Sequence, residues 1–467
     1  MNTGLLGGII FVVVFAGSIL LHELGHFIVA RLLHIEVEEF GIGFPPRLAR
    51  LWRGKGSLVI GKKSLIIPYN FDLPFDPNTA VPHAFTATAT SVRGKLVLNT
   101  IAFAALEDGQ YRPAPAKKQE EEKEPAPQPV RALFKPKPRQ PGEILVEGIL
   151  HEVRPGTEFT MNFIPLGGFN KIKGEDDPSV PGGMASANPW KRIAVMLAGA
   201  ATNLLTAVLV FTIYFSQIGI PDQNSVAVAF VDSGSPAELS GLKINDIILV
   251  AGGVHVTSYG KLVEITQTHL DKPMPLVVLR DGQPVEITVT PRSVHPASQG
   301  AMGIAIGQPL NPSKSWFATI PFSFSATGDY INNLLALPGR IIAGAIKPQE
   351  AQLAGPRTIW NLFQTAVARD VASRETSTTD QPSTKPTNYT LSIIISLTIS
   401  LGVVNLLPIP ALDGGRIFMT LPEIIFRRRI PAKFQAAINS ISFLILIVLL
   451  GMFYIKDIIS PLSITLP

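Results

Sequence analysis

Residues 3–26 read TGLLGGIIFVVVFAGSILLHELGH. From Thr3 to Leu21 no side chain carries a charge, and about 20 helical residues suffice to cross a hydrocarbon core roughly 30 Å thick. The run ends on His22, Glu23 and His26. Ionisable groups at the end of an apolar helix are costly in lipid, and the usual reason for keeping them is function. On a helix His22 and His26 lie one turn apart on the same face, where two imidazoles can bind one zinc ion, and Glu23 beside them can take a proton from water. The stretch therefore predicts a membrane crossing that ends in a metal site. A secretory signal peptide would look different: MNTG supplies no basic residue, and the apolar run exceeds the usual h-region of about 7–15 residues.

The rest of the chain fits that start. Of its 467 residues, 46% are hydrophobic and 16% are charged, whereas a soluble globular protein carries about 25% charged residues. An ordinary cytosolic enzyme is thereby excluded. Cysteine is absent, which removes disulfides, thiolate nucleophiles and Cys-ligated metal. A net charge of +5 is too small for a chain this long to point to nucleic acid. The apolar excess collects in three further uncharged stretches, 193–215, 389–412 and 436–454. Four crossings are expected.

The basic residues set the direction. Arg31, Arg47, Arg50 and Arg53 follow the first span, Lys171, Lys173, Lys191 and Arg192 precede the second, and Arg416, Arg427, Arg428, Arg429 and Lys433 lie between the third and fourth. Basic loops stay in the cytoplasm. Both termini and residues 222–388 are therefore expected outside it. The apolar stretch 316–346 is interrupted by Asp329, Pro338 and Arg340, so interfacial amphipathic helices are expected there rather than a fifth crossing.

Zinc needs at least one more protein ligand and leaves a position for water. Asp413, in NLLPIPALDGG (405–415), is the best candidate. His22 lies roughly 28 Å along a helix that starts at Thr3, and Asp413 comes at the cytoplasmic end of its own span, so the two reach a similar depth. Pro408 and Pro410 break that helix just before Asp413. The other histidines, His34, His83, His151, His255, His269 and His295, lack such a setting and read as surface or structural residues.

With HELGH closing the first span and NLLPIPALDGG at the third, the chain resembles the site-2 protease family of intramembrane zinc metalloproteases (peptidase family M50). The resemblance is closest to the bacterial branch that cleaves membrane-anchored anti-sigma factors. GIGFPPRLARLWRGKG (41–56) and FIPLGGFNKIKGEDDP (163–178) are similar to that branch's cytoplasmic loop and membrane-reentrant β-segment. MLAGAATNLL (196–205) resembles its small-residue helix with a buried Asn. The resemblance implies His22, His26 and Asp413 as Zn2+ ligands and Glu23 as catalytic base. It also implies that Asn405 and the 165–170 segment, with Gly167, Gly168 and Phe169, bind unwound substrate. One departure stands out: about 100 residues, 55–155, separate parts of the loop that are normally nearly contiguous. They bear on regulation or substrate choice rather than on chemistry.

A second resemblance, to a PDZ domain of the bacterial type, lies in 224–291. VDSGSPAELSGLKINDIILVAGG (231–253) supplies Ser235-Pro236 to start a helix, Gly241 to end it, a strand at 247–250 and a turn at Gly252-Gly253. Asn245 stands where Gly is usual and can also adopt positive φ. LVVLRDGQPVEITVTP (276–291) reads as a hairpin around Asp281-Gly282. Such a domain binds a peptide or C-terminus by strand addition, or acts as a size filter over the active site.

The expected fold is a polytopic α-helical membrane protein with four transmembrane helices, an inserted α+β PDZ domain and a membrane-reentrant β-segment. In chain order it has transmembrane helix 1 with HExxH (1–30), a cytoplasmic loop (31–160) and the reentrant segment (161–178). Transmembrane helix 2 (191–217), the extracytoplasmic PDZ domain (222–295) and interfacial amphipathic helices (312–370) follow. A polar linker (371–388) leads to transmembrane helices 3 (389–415) and 4 (434–456). Within the loop, the Pro-rich, charged stretch 106–142 is expected to be disordered. The expected activity is zinc-dependent cleavage of single-span membrane proteins, pre-trimmed or intact, in a bacterial plasma membrane, with the active site near the cytoplasmic face. The expected partners are those substrates, the PDZ peptide and the lipid bilayer, with no nucleic acid. Clearance of signal-peptide remnants is the alternative among peptidases. A non-catalytic membrane PDZ adaptor would leave Glu23 idle, and a zinc transporter would need polar residues spread along several spans.

Overall fold

The computed structural model describes residues 3–75, 84–103, 142–222, 224–296, 299–312, 315–344, 355–376 and 388–460. Among the described residues three helices are long and apolar enough to cross a membrane: Thr3–Leu32, Pro189–Ile218 and one ending at Ile459 that begins at Ala432. A fourth apolar helix, Tyr389–Asn405, has 17 residues. Along the Ala432–Ile459 helix Ile441, Phe443, Leu444, Leu450 and Met452 are all exposed. An apolar face of that size is stable only out of water. This is a multi-pass membrane protein. The helix Ile320–Ile342, which holds Asp329, Pro338 and Arg340, is not among the candidate crossings.

The chain divides into two compact units. The first takes in Met1–Thr206, Leu337–Thr365 and Ser396–Pro467. In it, small residues let the helices of the site approach closely. A Cβ on Gly25 would stand 2.5 Å from the Ala198 carbonyl oxygen, and one on Gly402 would stand 3.3 Å from that of Ala200. At the other end of the opening helix, Gly8 leaves room for the Trp360 ring, whose Cζ2 would lie 2.6 Å from a Cβ there.

Two long strands, Val37–Arg53 and Glu158–Ile172, pair with each other. Their register shows that each one folds back on itself. Ile42 pairs with both Gly168 and Met161, and Arg47 returns to pair with Asn162. Side by side, the half-strands are therefore 47–53, 158–162, 37–42 and 168–172. The first strand turns at Pro45-Pro46 and the second at Gly167, whose φ is +83°. The 168–172 edge lies on the opening helix: a Cβ on Gly167 would meet Ile19, and one on Gly168 would meet Leu20 and Glu23.

One large feature was not anticipated from the sequence. The described part of the 55–155 insertion is a closed five-stranded barrel. The strands run in the order Gly56–Ile60, Lys63–Ile67, Lys95–Phe103, Ala84–Val92, Glu143–Arg154. Leu58, Ile60, Leu65, Ile67, Phe85, Leu98 and Leu150 fill its core. Each strand is only half apolar, and closure buries the inward half without leaving a free edge. The Pro-rich stretch expected at 106–142 lies outside the described residues except for its last residue, Gly142.

The second unit takes in Ala207–Ala336 and Ala366–Ile395. Its sheet has the order Gln283–Val289, Met274–Arg280, Ile247–Ala251, Val226–Val231, Ile304–Gly307, with Val254–His255 beside Ile247–Ala251. Val228, Ile248, Leu262, Leu276 and Val278 form its core. The local expectations hold here. Ser235 caps the helix Pro236–Leu239 by accepting from the Glu238 amide, Asn245 sits at φ +71°, and Arg280 pairs with Gln283 across Asp281-Gly282, both with positive φ. The expected boundary at 295 is too short, because Ile304–Gly307 adds the strand beside Val226–Val231. The polar linker expected at 371–388 is also shorter, because the helix Pro356–Thr376 runs through its first residues. The third span was expected to reach Leu412, but its helix ends at Asn405. Pro408 and Pro410 prevent its continuation, and Asp413 opens a separate helix, Asp413–Phe426.

Candidate metal centre

His22 and His26 come from the opening helix and Asp413 from the first turn of the helix Asp413–Phe426, 391 positions from His22. The His22 Nε2 lies 3.1 Å from Asp413 Oδ2 and 3.1 Å from His26 Nε2, and His26 Nε2 is 3.3 Å from Asp413 Oδ2. Both histidines are buried. Among the described residues this is the one group of three or more His, Cys, Asp or Glu side chains able to share an ion. His34, His151, His255, His269 and His295 join no such group, and His83 lies outside the described residues.

The donor set suits zinc. Ligands of a tetrahedral zinc at about 2.0–2.1 Å stand roughly 3.3 Å from one another, close to the spacing here. Two imidazole nitrogens facing each other at 3.1 Å repel unless a proton or a cation lies between them. The outer contacts agree. The His26 Nδ1 is 2.7 Å from the Val195 carbonyl oxygen, an acceptor that requires the proton on Nδ1 and leaves the Nε2 lone pair for a metal. The His22 Nδ1 is 3.3 Å from the carboxamide of Asn203, a fully buried residue whose Oδ1 has no partner. Turning that amide by 180° lets Oδ1 accept from Nδ1–H, which satisfies both groups and frees the His22 Nε2 in the same way.

The helix Pro189–Ile218 makes room for this pair. A Cβ on Gly199 would stand 2.4 Å from the His26 Nε2 and 2.7 Å from the His22 Nε2. Sequence reasoning did not single out Gly199. The available signal was the run Ala198-Gly199-Ala200-Ala201, whose small side chains mark a close helix crossing.

The three side chains line a cavity of about 340 Å³ together with Glu23, Asn405, Asn170 and Arg416. The Asn405 Nδ2 is 3.5 Å from the His22 Nε2. Arg416 pairs with Glu175 at the same cavity. Gly167 and Gly168 bring the 168–172 half-strand onto the opening helix. Phe169 does not line the cavity, whereas its neighbour Asn170 does. Asn170 falls within the 165–170 segment that the resemblance implies for substrate binding but was not singled out there, and the Arg416–Glu175 pair was passed over.

Comparison with known proteins gives a consistent answer. A family model described as peptidase family M50 matches residues 10–59 and 142–449. The gap falls within the barrel. A Clostridium perfringens protein whose name proposes a zinc metalloprotease is 30% identical over 66% of this chain and 85% of its own length. Metalloprotease MmpA of Caulobacter vibrioides is 28% identical over 60% of this chain and 77% of its own. The regulator of sigma-W protease RasP of Bacillus subtilis is 24% identical over 94% of this chain and 96% of its own.

Proposed function

The chain belongs to peptidase family M50 and is a zinc metalloendopeptidase, and from that premise we propose that it cuts transmembrane segments of membrane-anchored regulators of the anti-sigma-factor type. The observation that carries this reading is the meeting of His22, His26 and Asp413 at the end of an apolar helix, with Glu23 in the same cavity. The name of the Bacillus subtilis relative supports the class of substrate.

His22, His26 and Asp413 would hold zinc. When bound there, zinc lowers the pKa of water to about 7 and polarises a carbonyl. Glu23 takes the proton of the attacking water and delivers it to the leaving amine. A helical substrate hides its carbonyls in its own hydrogen bonds, so it must unwind before attack. The half-strand 168–172 pairs with 37–42 on one side, and its other edge receives the extended segment by main-chain pairing. Gly167 and Gly168 keep that edge close to Glu23, and Phe169 contributes to the same segment. Asn405 contacts the bound peptide beside His22.

In this reading four helices cross a bacterial plasma membrane, both termini face away from the cytoplasm and the zinc site lies near the cytoplasmic face. The basic residues between the spans support that direction. The sheet of the second unit, with its capped helix at Ser235 and its hairpin at Asp281-Gly282, supports the reading of a PDZ domain that binds an extended peptide or screens substrates by size.

The decisive test is Glu23→Gln. The variant should keep zinc by elemental analysis and lose cleavage of a membrane-spanning reporter. Full turnover by the variant would remove Glu23 from the mechanism. Membrane peptides that accumulate in the variant and not in the wild type would name the substrates.

A further inference from the structure

Asn170 stands two residues beyond Gly168 on the 168–172 half-strand. Side chains alternate along a strand, so Asn170 shares the face of Gly168, the face that meets Leu20 and Glu23 of the opening helix. Its side chain lines the cavity of His22, Glu23 and Asp413. Its Oδ1 and Nδ2 are both buried and neither has a hydrogen-bond partner.

That combination is expensive. A buried amide left unpaired loses its water and gains nothing, and a strand position packed against a helix is better served by a β-branched apolar residue. Ile172, next on the same face, is such a residue and lines the same cavity. Packing therefore does not account for Asn170. A carboxamide presents an acceptor beside a donor, which matches the N–H and C=O that one extended residue points in the same direction.

We propose that Asn170 is a substrate-binding residue whose carboxamide pairs with the main-chain N–H and C=O of one extended substrate residue next to the scissile bond. The inference rests on the reading of the chain as an intramembrane peptidase and deepens it. A segment unwound away from water must find partners for every freed N–H and C=O. The main chain of 168–172 serves the groups that face the strand edge, and Asn170 serves a pair that points into the cavity.

The test uses the full-length protein in detergent. Asn170→Val and Asn170→Ala are compared with wild type for zinc content, thermal midpoint and cleavage of a membrane-spanning reporter. Asn170→Val should keep its zinc and melt at or above the wild-type midpoint. Its kcat/KM should fall about tenfold, the factor that one lost pairing represents. A reporter with an ester in place of the peptide N–H at that residue should slow the wild type but not slow Asn170→Ala further. Cleavage by both variants within about twofold of wild type, or a fall in midpoint that parallels the loss of cleavage, would overturn the inference and leave the peptidase reading standing. Zinc-loaded wild type that fails to cut any membrane-spanning reporter would overturn the peptidase reading and this inference with it.

Discussion

Gly199 touches the ring of His26 where a side chain would begin: a Cβ there would stand 2.4 Å from Nε2, the atom that faces His22 and Asp413. The contact is with rings fixed on their outer sides by Val195 and Asn203, so the imidazoles have little freedom to retreat. Gly199→Ala is expected to weaken zinc binding by about 10–100-fold, the range seen when groups around a metal site are disturbed, while the helices stay folded. Zinc titration against a competing chelator, with circular dichroism in parallel, measures both. Wild-type zinc affinity in the variant would refute the assignment of His26 Nε2 as a ligand atom.

Asn203 acts on the same site from the far side of His22. Asn203→Leu fills a similar volume but cannot accept from Nδ1–H, so His22 loses the contact that sets its tautomer. Zinc affinity should fall by about 10–100-fold with the thermal midpoint of the zinc-free protein unchanged or raised. Asn203→Asp, which keeps the acceptor, should restore affinity. Equal affinities in Leu and Asp variants would show that Asn203 only packs.

His22→Ala and Asp413→Ala should each abolish stoichiometric zinc. Asp413 lies outside the long helices, at the start of Asp413–Phe426, so its loss removes a ligand without breaking a crossing. Zinc at one equivalent in purified Asp413→Ala would exclude it from the ligand set.

The two histidines were legible because their spacing is local: one helical turn brings them together whatever the rest of the chain does. Asp413 was legible through topology, although the helix expected to carry it stops at Asn405. The local structure of the second unit was legible because Ser235, Asn245 and Asp281-Gly282 each dictate a backbone conformation. The barrel was not legible. Its strands 56–60 and 63–67 are short, Ala84–Val92 reads AFTATATSV with few large apolar residues, and the closing strand begins only at Glu143. Closure is a long-range property, and no local pattern announces it. The fold-back of Val37–Arg53 and Glu158–Ile172 was hidden for the same reason.

At the root of that sheet Glu158 pairs with Arg53 and Arg47. Burial acts to raise its carboxyl pKa, but Arg53 and then Arg47 outweigh it and hold the group below the ordinary glutamate value. A carboxyl depressed in the folded state adds stability that is present above its unfolded pKa of about 4.3 and is lost as the pH falls below it. The thermal midpoint of wild type should therefore drop below about pH 4.3. Glu158→Gln should start about 2–4 °C lower at neutral pH and show a shallower acid limb. Identical acid limbs would mean that Glu158 does not contribute to the pH dependence.

The barrel hangs from the sheet by a narrow neck. The Gly54 amide donates to the Thr157 carbonyl oxygen at 2.8 Å, and a Cβ on Gly56 would stand 2.7 Å from the Gly156 nitrogen. The two ends are therefore close enough for a short loop to replace everything between them. Its core residues pack on one another, and the family match skips 60–141, so the metal site is expected to form without the barrel. Replacing residues 57–153 by a short Gly/Ser loop should leave zinc stoichiometry unchanged and reporter cleavage within about threefold of wild type, the change that a moderate difference in loop length brings. If the excised protein lost its zinc, the barrel would be holding the 158–172 strand in place, and the neck would be a structural joint rather than a tether.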